Sequence, residues 1–195
     1  MIGRILLCGL ALAASTPAWA QSEAKGAEAR VSPRDGQHDF DFEFGAWTAR
    51  ISRLVRPLTG STEWVEYEGS SVVRRVWNGR ANLGELDVKG PTGRIVGLSM
   101  RLYEPETGQW TIRWASAADG LLGEPMVGGF RDGRGEFYNQ ELLNGRAIFV
   151  RFIFSDIGPT TFRLEQAFSA DGGRSWEPNW IASFTRVGDS ASGRP

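Results

Sequence analysis

The sequence predicts an all-β protein, a single up-and-down antiparallel β-barrel of about ten strands. Turn signals such as Asn78-Gly79 and Asn144-Gly145 recur at short intervals, and these pairs favour hairpins because both residues adopt positive φ at low cost. The segments between them are rich in Val, Ile, Phe, Trp and Thr and alternate with period two. No stretch has the longer period expected of an amphipathic helix.

The chain begins with a segment typical of a secretory signal. Its start is positively charged, residues 5–14 are apolar but too few to span a bilayer, and Ala18–Ala20 offers small residues where a signal peptidase reads them. We predict that residues 1–20 are a cleaved signal peptide and that the mature protein is periplasmic or secreted. An uncleaved membrane anchor is the alternative. A lipoprotein is disfavoured because Cys8 lies too early.

Cleavage of these 20 residues from a chain of 195 leaves 175 residues without a cysteine, enough for one well-buried domain. We predict a flexible polar tether at 21–37, the barrel domain at 38–187 and a disordered tail at 188–195. Of 22 Lys and Arg one lies in the signal, so 23 acids leave the mature charge near −2. We therefore expect no nucleic-acid partner and no integral membrane segment after cleavage. The oligomeric state stays open.

The alternation gives a series of candidate strands, with Gly69 either separating two of them or only bending one. Short hairpins between consecutive strands indicate a meander, and closing it removes the exposed edges. A β-sandwich is the alternative, disfavoured because long crossover connections are lacking. A helical turn is expected around 39–44. The strands are expected near 46–55, 62–68, 70–77, 81–87, 94–104, 109–116, 125–131, 135–141, 146–155, 161–169 and 176–186.

Each strand has one apolar face, which we expect to point inward. In 94–104 this face is Leu98, Met100 and Leu102, with Arg101 opposite. A barrel of this size can enclose one small ligand. The corresponding faces elsewhere are Trp110, Ile112 and Trp114; Ile148, Val150, Phe152 and Phe154; Phe162, Leu164, Gln166 and Phe168; and Trp180, Ala182 and Phe184.

Gly45-Ala46-Trp47, at the start of the first strand, resembles the Gly-x-Trp signature of lipocalins and the wider calycin group. In those barrels the Trp closes one end and an Arg from the last strand packs across it. The resemblance implies a structural closure formed by Gly45, Trp47 and Arg186. We expect the acids of 40–44 and His38 to form only a structural lip there, with function at the opposite, open end.

A longer resemblance covers residues 38–187 and points to a bacterial family of lipocalin-like proteins whose function is not established. It implies the barrel fold and carries over no chemistry. The matching segments are 40–42, 64–69, 71–74, 97–103, 135–138, 154–157 and 165–169.

Residues Ser169–Trp176 fit the aspartate-box hairpin seen in sialidases and several unrelated β-proteins. Asp171 can accept bonds from the N–H groups of the turn, glycines supply positive φ, and Trp176 can pack beneath the hairpin. The single copy predicts a structural role and gives no support for glycosidase activity.

The scarcity of cysteine, histidine and lysine excludes or disfavours several kinds of active site. A mature chain without cysteine excludes thiol catalysis, Cys-zinc sites and iron–sulfur clusters. His38, the single histidine, precedes the barrel, which disfavours a triad, a multi-His metal site and haem ligation. Lys89 lies in a turn, which disfavours a buried Schiff base. We therefore predict no metal, no cofactor and no catalytic residue.

The aromatic residues predict a site for an apolar molecule. Indole and phenyl rings suit a cavity that holds an apolar body, and an Arg or Tyr can fix a polar end. The alternative is that these rings only fill the core. Residues 117–125 form a candidate lid, or only a loop. The predicted ligand-binding residues are Trp64, Trp110, Trp114, Phe130, Phe152, Trp180, Arg101 and Tyr138.

Three functions remain open. The leading hypothesis is an exported, lipocalin-like barrel that binds a small, hydrophobic or amphipathic ligand. The alternatives are a cofactor-free isomerase, cyclase or hydrolase that uses carboxylate and tyrosine acid/base groups, and an envelope interaction protein with a solid barrel. A filled core would exclude the first two. Charged side chains converging in a cavity would favour the enzyme, and an apolar cavity the carrier.

Overall fold

The fold is a closed antiparallel barrel in the computed structural model, which describes residues 35–187. Within them each strand pairs with its neighbours in sequence, and the last pairs with the first. The predicted up-and-down barrel is confirmed, and the sandwich alternative is wrong. The strands are β1 Gly45–Leu54, β2 Trp64–Val76, β3 Ala81–Gly90, β4 Gly93–Glu104, β5 Gln109–Ser116, β6 Met126–Arg131, β7 Arg134–Leu143, β8 Arg146–Ser155, β9 Thr161–Ser169 and β10 Glu177–Arg186.

Helical structure is limited to two short turns in the described residues. A 3-10 turn at Asp41–Glu43 falls inside the turn expected at 39–44, and a second one follows β2 at Trp77–Gly79. The described part of the chain contains no helix with the length and apolarity to cross a bilayer. The predicted signal peptide, the tether up to residue 34 and the tail lie outside the described residues.

Gly69 lies within one strand and does not end it. β2 runs continuously through it, so the candidates at 62–68 and 70–77 are one strand. The backbone of the paired strand β3 lies so close that a Cβ at this position would be 2.0 Å from the Asp87 carbonyl oxygen. A side chain would force the two strands apart, so the glycine permits their close pairing.

One end of the barrel is filled by an aromatic plug, defined here as Phe40, Phe42, Trp110, Phe130, Phe137 and Phe154. Phe40 is fully buried at its centre, and the centroids of the other five rings lie 4.9–6.1 Å from its own. Most of these contacts are edge-to-face, the arrangement that aromatic quadrupoles favour. The segment before the first strand is therefore part of the core.

The packed structure extends upstream of the predicted boundary at residue 38. The Gly36 N–H donates to Tyr103 Oη at 2.9 Å, and the Trp110 indole N–H donates to the Gly36 carbonyl at 2.9 Å. Gly36 is itself buried. These long-range bonds fix the end of the predicted tether to β4 and β5.

A clamp formed by Trp47 and Arg186 closes this end. The Arg186 guanidinium lies 4.1 Å from the centre of the Trp47 ring, a cation–π contact. It donates to the carbonyls of Phe42 at 2.6 Å, Phe44 at 2.7 Å and Pro159 at 2.9 Å. The Trp47 indole donates to the Glu43 carbonyl at 2.7 Å. Gly45 supplies the positive φ that leads from the turn into β1.

The expected orientation of β4 is wrong. Arg101 is buried inside the barrel, whereas Leu98 on the predicted core face is 36% exposed. The register explains the reversal, because Arg101 pairs with Asn82 on β3 and Ile112 on β5, and both of these are buried. Directly paired residues share a face of the sheet, so the inward faces of the neighbours determine the orientation of β4.

The aspartate-box hairpin lies between β9 and β10 and packs on the outer wall. Asp171 Oδ1 accepts from the N–H groups of Arg174 and Ser175, both at 3.0 Å, and these bonds and the Ser175 hydroxyl lower the pKa of Asp171. Trp176 packs under Arg151, whose guanidinium lies 4.5 Å from the ring centre. Its contacts are those of a structural turn.

We expect Arg186→Met to destabilise the protein by about 2–4 kcal/mol, because three charge-assisted hydrogen bonds and a cation–π contact are lost. Urea unfolding followed by fluorescence measures this free energy. Arg50→Met is the matched control. Arg50 is exposed and faces Glu68 across 3.3 Å, so its loss should change stability by less than about 1 kcal/mol. Equal effects of the two variants would refute the clamp.

Candidate functional site

A cavity of about 1390 Å³ lies above the aromatic plug and reaches the loop between β5 and β6. It exceeds the ≈ 300–1,000 Å³ common for small-molecule sites, so the barrel is not solid. Alternation places one face of each strand along it. Its wall is mainly apolar and includes Ile51, Leu86, Ile112, Trp114, Met126, Phe152, Phe162, Leu164, Trp180 and Phe184.

Glycine on β4 makes room for one of the indoles of the wall. A Cβ at Gly97 would lie 2.0 Å from Trp114 Cζ2, closer than two carbon atoms can approach. The ring therefore lies over the glycine backbone, which leaves its other surface for the cavity.

The floor carries a buried ion pair. Arg101 Nη1 lies 2.7 Å from Glu43 Oε2, and the two residues are 6% and 1% exposed. Arg101 Nη1 also donates to Asn82 Oδ1 at 2.9 Å. The guanidinium stands over Phe40 of the plug, 5.0 Å from its ring centre. Both charged residues line the cavity, so its polar end lies next to the plug.

Glycine also makes room for this pair. A Cβ at Gly84 on β3 would lie 3.2 Å from Arg101 Nη1 and 3.4 Å from Val73 Cγ2. The missing side chain leaves space in which the guanidinium can reach both Glu43 and Asn82. The hydroxyls of Ser71 and Ser99 line the cavity as well.

Burial raises the pKa of Glu43, and the Coulombic attraction of Arg101 offsets only part of that increase. Burial likewise lowers the pKa of Arg101, with Glu43 opposing. Within residues 35–187 two buried donors here lack a hydrogen-bond partner, Asn82 Nδ2 and Arg101 Nε, whereas Glu43 Oε2 is engaged by Arg101 Nη1 at 2.7 Å. Unpaired donors are costly in a core, and one of the two belongs to Arg101, which lines the cavity.

The candidate lid at 117–125 lies at the mouth of the cavity, where six of its residues contribute to the lining. It is held at its base, because the Gly123 N–H donates to the Trp114 carbonyl at 2.8 Å and Arg113 Nη1 donates to the Gly123 carbonyl at 3.0 Å. Leu121 and Leu122 at its tip are 70% and 52% exposed. These side chains form an apolar rim.

Of the predicted ligand-binding residues, Trp114, Phe152, Trp180 and Arg101 line the cavity. The other four do not. Trp110 and Phe130 lie in the plug below it.

Trp64 and Tyr138 lie on the outer face, because each is adjacent in its strand to an inward residue, Val65 or Phe137. Tyr138 is 42% exposed and donates from Oη to Glu136 Oε2 at 2.8 Å. Sequence alternation alone could not fix their orientation, since Trp and Tyr have both an apolar ring and a polar group and can lie on either face of a strand.

The sequence reasoning missed Glu43 and placed it in a structural lip. Its side chain instead reaches the floor of the cavity from the plug end. Its position between Phe42 and Phe44 in a short turn does not orient its side chain, so the sequence held no usable signal for its burial. In the described part of the chain, no group of three or more His, Cys, Asp or Glu could hold a metal ion.

No protein-family model matches the sequence, and no curated protein matches it. Among solved structures, an S-type phycobiliprotein lyase, CPES, from Guillardia theta is similar with a TM-score of 0.55 and 10% identity, over 83% of this chain and 98% of that chain. This similarity supports the β-barrel fold.

Two further structures are less similar. EF1p2_mFAP2b bound to DFHBI has a TM-score of 0.43 at 10% identity. A redesigned beta barrel, mFAP1, bound to DFHBI has a TM-score of 0.41 at 9% identity. Each match covers 78% of this chain and 99% of that chain.

We expect Arg101→Met to lower stability by about 3–5 kcal/mol near neutral pH, because Glu43 is left buried and unpaired. The folded-state pKa of Glu43 lies above the unfolded value of about 4.3, so the deficit shrinks as pH falls toward that value and Glu43 takes up a proton. Urea unfolding at about pH 8 and about pH 5 measures both free energies.

Arg74→Met is the matched control for this pH dependence. Arg74 is exposed and forms its ion pair with Glu85 on the outer face, so its loss should cost less than about 1 kcal/mol at either pH. A deficit for Arg101→Met that stays constant between the two pH values would contradict the assignment of Glu43 as its cause.

Proposed function

We propose that this protein binds a small, mostly apolar molecule inside the barrel. The single observation that carries the proposal is the large cavity with an apolar wall and one buried polar end. Transfer of apolar surface from water to such a wall contributes roughly 25 cal/mol per Å². Trp114, Phe152 and Trp180 supply flat surfaces for the ligand body, and the Glu43–Arg101 pair supplies the polar contact.

The mouth suits the passage of such a ligand. The exposed Leu121 and Leu122 at the tip of the β5–β6 loop, and Leu142 at the end of β7, all line the cavity. An apolar rim lowers the cost of partial desolvation as the molecule enters. β6 pairs with β5 through three registered positions only, from Trp110↔Gly128 to Ile112↔Met126, so this side of the mouth is the least constrained by sheet hydrogen bonds.

The proposal includes export and family. The layout of residues 1–20 supports a periplasmic or secreted protein, and the segments that resemble the bacterial lipocalin-like family support membership in it. N-terminal sequencing of the protein from the exported fraction should begin at Gln21. A chain that retains Met1 in the cytoplasmic fraction would refute export.

A cofactor-free enzyme is the second candidate, and the buried carboxyl of Glu43 favours it. A carboxyl with a raised pKa in an apolar site can act as a general acid near neutral pH. Tyr138 is not available as its partner, because it lies on the outer face. The two candidates differ in outcome: a carrier releases its ligand unchanged, whereas an enzyme releases a molecule of altered mass or double-bond arrangement.

We expect Leu164→Trp to abolish or weaken ligand binding at least about tenfold, because the larger side chain fills part of the cavity that Leu164 lines. Native mass spectrometry of protein purified from its source measures the bound mass, and the same molecule titrated into the variant gives the affinity. The matched control is Ser183→Trp, which adds an indole to the exposed face of the adjacent β10.

Ser183→Trp should bind like the wild type. Loss of binding in both variants would point to general destabilisation. Full binding by Leu164→Trp, or a wild-type protein that carries no ligand and responds to no apolar compound, would overturn the proposed function.

A further inference from the structure

The charge of the cavity floor constrains which head group a ligand can place there. Glu43 and Arg101 are both almost completely buried and lie 2.7 Å apart, so the floor is neutral only while the two are paired. Within residues 35–187, Glu43 has no second basic partner and Arg101 has no second acidic partner within ion-pair distance. Apart from this pair the lining is mainly apolar, with serine hydroxyls, the amides of Gln140 and Gln166, and the charged side chains of Arg53, Arg94, Glu124 and Glu141.

A charged head group would unbalance this floor. A carboxylate beside Arg101 would leave two anions and one cation in a site of low dielectric, and an ammonium would leave two cations and one anion. An uncompensated buried charge costs several kcal/mol. Charged residues at the mouth, such as Arg53 and Glu124, lie at the other end of the cavity and cannot neutralise it at short range.

An uncharged polar group could form hydrogen bonds with the floor without adding a charge to it. Glu43 Oε2 lies 2.7 Å from Arg101 Nη1 and keeps a second lone pair that can accept a hydrogen bond, and Arg101 Nε can donate one but has no hydrogen-bond partner within the described residues. The Ser71 and Ser99 hydroxyls beside them can do both. A ligand hydroxyl donates and accepts at once, so it fits this mixed set better than a group restricted to one role.

We propose that the ligand enters head first and is an apolar molecule with a single uncharged hydroxyl-type end, such as a long-chain or polycyclic alcohol, which hydrogen-bonds at the Glu43–Arg101 floor. This inference rests on the proposed function and specifies its ligand class. Fatty acids and alkylamines of the same length are then poor ligands. The selectivity depends on the opposite charges of Glu43 and Arg101, so removing one of the two charges should change which head group is preferred.

The test compares dodecanol, dodecanoate and dodecylammonium by calorimetric titration at about pH 8, where the acid and the amine are both charged. The wild type should bind the alcohol at least about tenfold more tightly than either ion. Glu43→Gln leaves Arg101 unpaired and should make dodecanoate the preferred ligand. Glu43→Gln combined with Arg101→Gln restores a neutral floor and should restore the preference for the alcohol.

Glu68→Gln is the matched control, since it removes an exposed carboxylate of β2 that faces Arg50 on the outer wall. It should leave the order of the three ligands unchanged. If the Glu43→Gln variants do not fold, the order of affinities that the wild type shows for the three ligands is sufficient to test the inference. Equal binding of the three, or preference for an ion by the wild type, overturns the head-group inference while ligand binding stands. Binding of none, with no response to any other apolar compound, overturns the proposed function itself.

Discussion

Three consecutive backbone carbonyls determine how this barrel is closed and where its polar floor lies. Arg186 from the last strand holds the carbonyls of Phe42 and Phe44, and Trp47 from the first strand holds the carbonyl of Glu43 between them. The clamp therefore fixes the 3-10 turn from both ends of the chain. Because its carbonyls are held by Arg186 and Trp47, the turn can direct the Glu43 side chain onto the cavity floor, where it pairs with Arg101.

The plug and the cavity are two consequences of the same packing. Phe40 occupies the centre of one end and is surrounded by five aromatic rings, so the core is dense there. Above it, glycines at 84 and 97 remove side chains where a filled barrel would need them. Apolar burial in the plug supplies stability, and the space above it stays available for a ligand. The polar pair sits at the boundary between these two regions.

The buried pair also separates the two candidate functions in physical terms. A carrier needs the pair to stay ionised and neutral overall, as a fixed dipole for an uncharged head group. An enzyme needs Glu43 to exchange a proton with the bound molecule, and burial that raises its pKa moves it toward that role. The same geometry permits both, and the chemical state of the released molecule distinguishes them.

The sequence by itself determined the fold class and much of the strand order, because period-two alternation and turn residues are local signals. It also identified Trp114, Phe152, Trp180 and Arg101 as candidates for the cavity. It could not orient β4, since the inward position of Arg101 follows from pairing with Asn82 and Ile112 on other strands. Nor could it bring Glu43 to Arg101, because these residues are distant in sequence and only closure of the barrel places them 2.7 Å apart.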